Sequence, residues 1–230
     1  MNRTVSLLVA LALLSAGCGV QEYERRMLKE QERVAYLDEE NRLLDEPLAA
    51  PPRKVGEKET PPPNVFLRPP RGIGSAGQAM PGSKIVFYYA RTGNSPFLGV
   101  YLATETLEGK DAQKKFDDEM LRRFSSVAPV AGELGKPPLR RDDLRFRQFT
   151  AEAPKMGGEP ESKVFLYFAT RGTAAAAVGY RVEKGRAADA AVTQAINMSL
   201  DTLGLGDPQA RQKESEHKRR KQRMSETRAR

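Results

Sequence analysis

The stretch KVFLYFATRGTAAAAVGYRVE, residues 163–183, has the pattern of two β-strands joined by a tight turn. Its first arm, residues 163–170, is an apolar run rich in aromatic and β-branched side chains, which is typical of a strand. Gly172-Thr173 supplies turn residues. The second arm alternates apolar residues with small or charged ones: Val178, Tyr180 and Val182 against Gly179, Arg181 and Glu183. Because alternate strand residues point to opposite faces, this stretch predicts an antiparallel hairpin.

Three more strands are predicted on the N-terminal side of this hairpin. Residues 84–90 (KIVFYYA) and 97–104 (FLGVYLAT) are rich in β-formers, and the turn pair Gly93-Asn94 lies between them. Farther along, Leu144 and Phe146 alternate with arginines, which predicts a strand, and the next aromatic residue is out of phase with them. The out-of-phase residue, Phe149, favours a bulge in that strand.

Two segments have helical periodicity. Residues 111–127 place Phe116, Met120, Phe124 and Val127 on one side. Residues 187–203 carry a second stripe, and Gly204 is suited to cap that helix: Ala188, Val192, Ala195, Ile196, Ser199, Leu200 and Leu203. Thirteen of the 16 Phe and Tyr residues lie between Phe87 and Tyr180, so the core belongs to this region. The order ββαβββα predicts an α+β domain over residues 83–206, a small antiparallel sheet with two helices packed on one face.

The N-terminus has the features of an export signal. Arg3 precedes an apolar run at residues 5–14, and small residues follow it. The apolar stretch is about a dozen residues, whereas a spanning helix needs roughly 20, so a permanent transmembrane helix is not expected. Cys18, directly after Gly17, is the only cysteine of the chain. An intramolecular disulfide is therefore excluded, and the thiol needs another explanation.

Ser15-Ala16-Gly17-Cys18, with leucines upstream, resembles the lipobox of bacterial lipoproteins. Ser15 departs from the pattern, because the position three before the cysteine is usually Leu. The resemblance implies removal of a signal peptide at residues 1–17, diacylglyceryl transfer to Cys18 and further acylation. More than one acyl chain gives stable membrane attachment, so the implied location is the bacterial cell envelope, facing the periplasm or exterior. The alternatives are an ordinary secretory signal with a fortuitous cysteine, or a cytoplasmic protein with an apolar N-terminus.

Residues 18–46 are predicted to combine the acyl anchor with a charged, coiled-coil-like helix, since residues 20–46 are almost all strong helix formers. Positions spaced 4-3-4-3 form a heptad seam, in which Glu30 is a fault: Tyr23, Met27, Glu30, Val34, Leu37, Asn41 and Leu44. Met27, Val34, Leu37, Asn41 and Leu44 are the candidate oligomerisation residues. Arg33 and Asp38 flank the seam with opposite charges, whereas Glu40 and Asp45 would repel across a parallel pair. A solitary helix near the membrane is the alternative.

Residues 47–82 hold nine of the 16 prolines, which predicts a proline-rich linker. Extended as polyproline II, its 36 residues would span about 110 Å as a semi-rigid tether. A short strand at Val65–Leu67 is compatible with the pattern. Residues 72–77 read GIGSAG and match the dinucleotide-binding spacing of glycines. Because this match lies among prolines rather than between a strand and a helix, nucleotide binding is not expected.

Few residues in the domain favour catalysis. The single histidine, His217, lies near the C-terminus, so histidine-based triads and zinc sites are not expected. Asp117-Asp118-Glu119 fan out around a helix and are predicted to be solvated rather than to converge on a metal ion. Tyr88, Tyr89 and Tyr101 are interpreted as packing residues. The sequence therefore predicts neither an enzyme nor a cofactor or metal site.

The last segment, residues 207–230, holds nine Lys and Arg against four Asp and Glu, so it carries +5 of the formal net charge of +8. Its densest cluster is Lys218, Arg219, Arg220, Lys221 and Arg223. In a cytoplasmic protein such a cluster indicates nucleic-acid binding, but the export signal argues against that partner. The predicted partners are anionic lipid headgroups or envelope polymers. The alternative is a disordered, solubilising tail.

The helix and strand order, with the ending INMSLDTLGLG, is similar to that of Mog1/PsbP-like domains. That resemblance covers about residues 64–206 and implies binding or stabilising a partner rather than catalysis. The resulting hypothesis is a membrane-anchored envelope lipoprotein with a structural or partner-binding domain. An accessory or assembly subunit of a membrane complex is the main alternative. A ligand-binding protein or a hydrolase is the remaining one.

Overall fold

The computed structural model describes residues 3–49, 63–80, 86–124, 144–152 and 158–206, with only the backbone for residues 3–19. The chain divides into two compact units, Met1–Arg42 and Leu43–Arg230.

The first unit is built from one long helix, α1, which runs from Arg3 to Leu43. From Val20 onward this segment contains neither Gly nor Pro, so nothing interrupts the helix. Pairs three or four residues apart add to it, such as Glu22 with Arg26 at 2.9 Å and Glu30 with Arg33 at 3.4 Å. Each such exposed pair contributes about 0.3–0.5 kcal/mol. Among the described residues, no helix combines the length and apolar character needed to cross a membrane.

Within its described residues, the second unit contains two antiparallel sheets, two helices and a short 3₁₀ helix. The elements are β1 (Leu48–Ala49), β2 (Val65–Leu67), β3 (Ile73–Ala79), β4 (Val86–Arg91), β5 (Phe97–Thr106), α2 (Ala112–Phe124), β6 (Arg145–Glu152), β7 (Ser162–Arg171), β8 (Ala174–Glu183), the 3₁₀ helix Lys184–Arg186, α3 (Ala190–Asp201) and β9 (Gly204–Leu205). Six strands form one sheet in the order β3-β4-β5-β8-β7-β6, and three form the other in the order β1-β2-β9. The α+β class and the ββαβββα order from β4 to α3 are confirmed.

The hairpin predicted from residues 163–183 lies in the larger sheet as β7 and β8. Its register runs without interruption from Ser162 opposite Glu183 to Arg171 opposite Ala174. Gly172 has φ +59°, a conformation that glycine adopts readily at the first central position of a tight hairpin turn. β8 also pairs with β5, so both arms of the hairpin have neighbours on each side.

The two helices pack against opposite faces of the larger sheet, so the prediction that both lie on one face is wrong. Side chains of α2 pack with Tyr101, Leu166 and their neighbours. Side chains of α3 pack with Val178, Tyr180 and their neighbours on the other face. The physical reason is that the central strands are apolar on both faces, so each face needs a cover.

The strand β6 has no bulge at Phe149, contrary to the prediction. Its pairing with β7 is regular from Arg145 to Glu152. Phe146 packs on the α3 face, and Phe149 packs on the α2 face, where its ring contacts that of Phe168 at 5.5 Å. Residues an odd number of positions apart point to opposite faces of a regular strand, so Phe146 and Phe149 lie on different faces. Both faces of β6 carry an apolar residue, and no inserted residue is needed to explain the spacing.

The predicted linker spanned residues 47–82, but residues 63–80 are part of the folded unit. The prediction of a tether is therefore wrong for residues 63–80. The short strand compatible with Val65–Leu67 is confirmed as β2, and Leu67 is fully buried. β3 pairs with β4 at the edge of the larger sheet. Prolines permit this fold because Pro69 and Pro70 lie in the connection after β2 rather than within a strand. Residues 50–62 and 81–82 lie outside the described residues.

The folded unit begins as soon as α1 ends, at Leu43 rather than at residue 83. Leu44 is 3% exposed and forms a bridge with Pro70. The Asp45 carboxylate accepts hydrogen bonds from the backbone N–H groups of Gly72 (2.5 Å) and Ile73 (3.2 Å). The guanidinium of Arg68 donates to the Asp45 carbonyl at 3.2 Å. These contacts hold the segment after α1 in the core.

The last helix is shorter than predicted, because residues 184–186 form the 3₁₀ helix and α3 starts at Ala190. The expected stripe is buried from Val192 to Leu203, whereas Ala188 is exposed. Gly204 does not cap the helix; it lies in β9 and pairs with Phe66. The positive φ after the helix belongs to Gly206, at +59°.

Candidate functional site

The structure places the predicted lipidation residue on α1 and leaves the basic cluster outside the described residues. The backbone of Cys18 lies within α1. Residues 218–223, predicted to bind polyanions, fall in the part of the chain that is not described. The predicted seam residues of α1 are described from Tyr23 onward.

α1 carries an apolar stripe, defined here as Val20, Tyr23, Met27, Val34 and Leu37. The first four are 55%, 64%, 44% and 49% exposed, and Leu37 is half-buried. Among the described residues, every exposed large hydrophobic side chain lies on α1, these four together with Leu28. Val20 was not predicted as a seam residue, although it lies seven residues before Met27 and so extends the same heptad pattern. Such a stripe on a charged helix is suited to packing against another helix.

Leu44 does not belong to this stripe, which corrects the prediction that it is an oligomerisation residue. It follows the last helical residue, Leu43, and is buried in the second unit. The same correction removes the predicted repulsion involving Asp45, because its carboxylate is hydrogen-bonded to the backbone of Gly72 and Ile73. Asn41 remains on α1 and is exposed.

In the second unit, the arginine cluster consists of Arg181, Glu159, Ser162 and Tyr88. Arg181 lies on β8, between Gly99 of β5 and Val164 of β7, and its side chain is only 1% exposed. Its Nη1 pairs with the carboxylate of Glu159, and its Nε donates to the Ser162 hydroxyl at 3.0 Å. The Glu159 side chain is 33% exposed. A guanidinium buried to this degree requires a paired countercharge.

Two tyrosines border the arginine cluster. The Tyr88 hydroxyl donates to the Leu98 carbonyl at 3.1 Å, and its ring covers Gly99, where a Cβ would lie 2.3 Å from a ring carbon. The ring of Tyr101 lies 5.0 Å from that of Tyr88. Burial raises the pKa of Tyr88, while the hydrogen bond from Arg181 lowers it. Burial raises the pKa of Tyr101 to about 12, so both phenols stay protonated at neutral pH.

The prediction that the three tyrosines are packing residues is confirmed, although Tyr88 packs at the edge of the core and is only partly buried. Tyr89 and Tyr101 are 1% and 2% exposed and pack on opposite faces of the larger sheet. Tyr88 is half-buried at the arginine cluster.

A second ion pair, buried on the side of its aspartate, joins α2 to β6. Asp117 is 6% exposed, so the prediction of a solvated acidic face is wrong for this residue. Its carboxylate lies 2.5 Å from Arg147 Nη2 and accepts a hydrogen bond from Gln113 at 3.0 Å. The Arg147 guanidinium also lies 5.5 Å from the centre of the Phe168 ring. Burial raises the pKa of Asp117, and the hydrogen bond from Arg147 opposes that rise. This pair fastens the helix to the sheet.

Within the described residues, no group of three or more His, Cys, Asp or Glu side chains is arranged to hold a metal ion. No protein-family model matches the chain, and no curated protein matches it. Function must therefore be argued from the apolar stripe, the arginine cluster and the N-terminal sequence.

The arginine cluster was missed by the sequence reasoning because Arg181 falls on the charged side of an alternating strand, which ordinarily indicates a solvated face. One signal could have found it. The neighbouring strands are apolar in both phases, as in the run at residues 163–170, so the face that includes Arg181 had to be covered.

Proposed function

We propose that this protein is a bacterial envelope lipoprotein, anchored through acylated Cys18, whose folded domain binds a partner rather than catalyses a reaction. The observation that carries this proposal is the N-terminal sequence: the only cysteine follows Ser15-Ala16-Gly17 at the end of a short apolar run that starts after Arg3. Two or more acyl chains on one residue would hold the protein stably at a membrane.

The structure supports a particular arrangement of this lipoprotein, with α1 as the stalk. After cleavage before Cys18, the helix would extend from Cys18 to Leu43, about 38 Å at 1.5 Å per residue. In the sequence, the folded unit begins at Leu43, directly after this helix.

The anchor is tested with Cys18→Ser in a bacterial host supplied with an alkyne-bearing fatty acid. We expect the wild-type chain to be labelled and to sediment with membranes, and the variant to lose both properties because it has no acceptor sulfur. Ser15→Leu is the matched control, because it restores the more usual lipobox residue and should remain labelled. Undiminished labelling of Cys18→Ser would refute the proposal.

We further propose that the apolar stripe pairs α1 with a second copy of itself in parallel. Anchoring at the N-terminus would fix both helices in the same direction and raise their local concentration. In the parallel register Val20, Met27, Val34 and Asn41 occupy equivalent a positions, and Arg33 of one helix approaches Asp38 of the other. Asn41 would then fix the register at some cost in stability.

Single cysteines test this pairing in a chain whose own cysteine is acylated. Val34→Cys and Met27→Cys should each form a disulfide-linked dimer with themselves, because equivalent a positions lie close together in a parallel pair. Ala35→Cys is the matched control, exposed on the same helix but one residue off the stripe. An antiparallel pair would link the two variants to each other when mixed. Linkage to a different protein would favour the accessory-subunit alternative.

The basic cluster at residues 218–223 is proposed to bind anionic lipid headgroups or envelope polymers. Each Lys or Arg near such a surface would contribute about 1 kcal/mol, and salt would weaken the attraction. Deleting residues 207–230 should therefore reduce binding to anionic vesicles at low salt. An unchanged, salt-insensitive association would show that the segment has no such partner.

A further inference from the structure

The arginine cluster places a buried charge on a central strand of the larger sheet. Arg181 lies on β8, the fourth of six strands, with its side chain 1% exposed. Replacing a buried ion pair by apolar residues of similar size is often neutral or stabilising. An apolar side chain at this position would match its neighbour Val164 on β7. Packing alone therefore does not explain why this position carries an arginine.

The two partners of this ion pair differ in their access to solvent. The side chain of Arg181 is buried, and its Nε donates a hydrogen bond to the Ser162 hydroxyl at 3.0 Å. Glu159 comes from the connection between β6 and β7, and Gly158 before it has φ +78°. The side chain of Glu159 is one-third exposed. Solvent therefore reaches this pair from the side of the carboxylate, and the charge that can be exchanged is the one on Glu159.

We propose that Arg181 anchors a binding site for a small carboxylate ligand, and that Glu159 occupies this site as an internal competitor when the ligand is absent. The planar guanidinium matches the two oxygens of a carboxylate, and the Glu159 carboxylate in the structure shows that the site accepts such a group. The half-buried ring of Tyr88 borders the same position and offers an apolar surface to the rest of the ligand.

An internal competitor has a measurable consequence. Because Glu159 is tethered to the domain, its carboxylate acts at a high effective concentration, and a dissolved carboxylate must displace it. The apparent affinity is reduced by the fraction of molecules in which Glu159 is bound. Removing the charge of Glu159 should therefore strengthen binding of a carboxylate, whereas removing Arg181 should abolish it.

The experiment follows the Nε–H signal of Arg181 by ¹⁵N NMR in the full-length protein, with Arg181→Met used to assign the signal. Sodium acetate is the probe, titrated against sodium chloride at constant ionic strength. We expect a saturable shift in the wild-type protein and in Glu159→Gln, with the midpoint lower in the variant by about tenfold or more. Glu159→Asp, which withdraws the carboxylate by one methylene, replaces Glu159→Gln should that variant fail to fold.

The control is the double variant Arg181→Met with Glu159→Gln, which removes both charges together. Because this variant lacks the Arg181 signal, the NMR signals of Tyr88 are followed instead. They should not respond to acetate. Three outcomes would overturn the proposal. A response in Glu159→Gln without any in the wild type means that Glu159 is a permanent structural partner. An absence of response in both means that no carboxylate site exists. An equal response to chloride means that the effect is one of general screening.

Discussion

The two units of this chain differ in how much of their large hydrophobic side chains they expose. α1 leaves several large hydrophobic side chains exposed to solvent, with Tyr23 64% and Val34 49% exposed. The second unit buries its own on both faces of the larger sheet, and no exposed large hydrophobic residue occurs among its described residues. A domain that covers its core needs no partner to fold, whereas a helix with an uncovered stripe gains by acquiring one.

The contrast assigns folding stability to the core of the second unit and assembly to the apolar stripe of α1. Substitutions in the domain core should change its free energy of unfolding, and substitutions on the apolar stripe should change association and leave that free energy alone.

The largest effect is expected from Phe124→Ala. Phe124 is fully buried at the end of α2 and stacks on Tyr101, with ring centres 4.9 Å apart. Deleting such a ring leaves a cavity, so the free energy of unfolding should fall by about 3–5 kcal/mol. Urea denaturation followed by tyrosine fluorescence measures it, since the chain has no Trp. Met27→Ala on the stripe should change it by less than about 0.5 kcal/mol. Equal losses would end the proposed division.

A second effect is expected at alkaline pH from Tyr101. Its pKa is raised from 10.0 to about 12 by burial, so the folded state keeps a proton that the unfolded state loses between those values. Its contribution is complete below pH 10 and is lost as pH rises to about 12, a total of about 2–3 kcal/mol. Tyr101→Phe should reduce the fall in unfolding free energy over that range. Phe149→Leu disturbs the same face without removing a phenol and should leave the slope unchanged.

The sequence predicted the elements that are long and periodic, and it failed where a contact between distant residues decides the structure. The hairpin β7–β8, the helix α2 and the stripe of α3 all extend over ten residues or more, so their periodicity is visible. β1 and β9 have two residues each, too few to show a period. Leu44 is buried where it pairs with Pro70, which lies 26 residues away in the sequence. Asp117 is buried where it pairs with Arg147, which lies 30 residues away.

The candidate sites follow the same rule. The heptad positions of α1 could be read from the sequence because a heptad is a local pattern. The structure corrects Leu44 and adds Val20, and self-association through these residues stays a prediction. The arginine cluster was not predicted, because Arg181 and Tyr88 are brought together by the pairing of β4, β5 and β8. The apolar run at residues 163–170 indicates that this face is covered, but it does not identify Glu159 and Tyr88 as the residues beside Arg181.

A third prediction concerns the segment where the domain begins. The carboxylate of Asp45 accepts hydrogen bonds from the N–H groups of Gly72 and Ile73. Asp45→Ala should leave both groups without this acceptor and lower the free energy of unfolding by about 1–2 kcal/mol. Asp45→Asn retains an oxygen acceptor and should lose less. An unchanged stability in Asp45→Ala would show that the residues after α1 are not part of the cooperative unit.

The smallest effect is expected from Arg26→Ala on α1. Arg26 pairs with Glu22 at 2.9 Å, and both side chains are largely exposed. Such a pair contributes about 0.3–0.5 kcal/mol to its helix, and salt screens it. The variant should show slightly less helicity by circular dichroism at low salt and the same urea midpoint for the domain. A shift of that midpoint as large as the one in Asp45→Ala would mean that α1 and the domain unfold together, and the contrast between the two units would then describe their surfaces but not their stability.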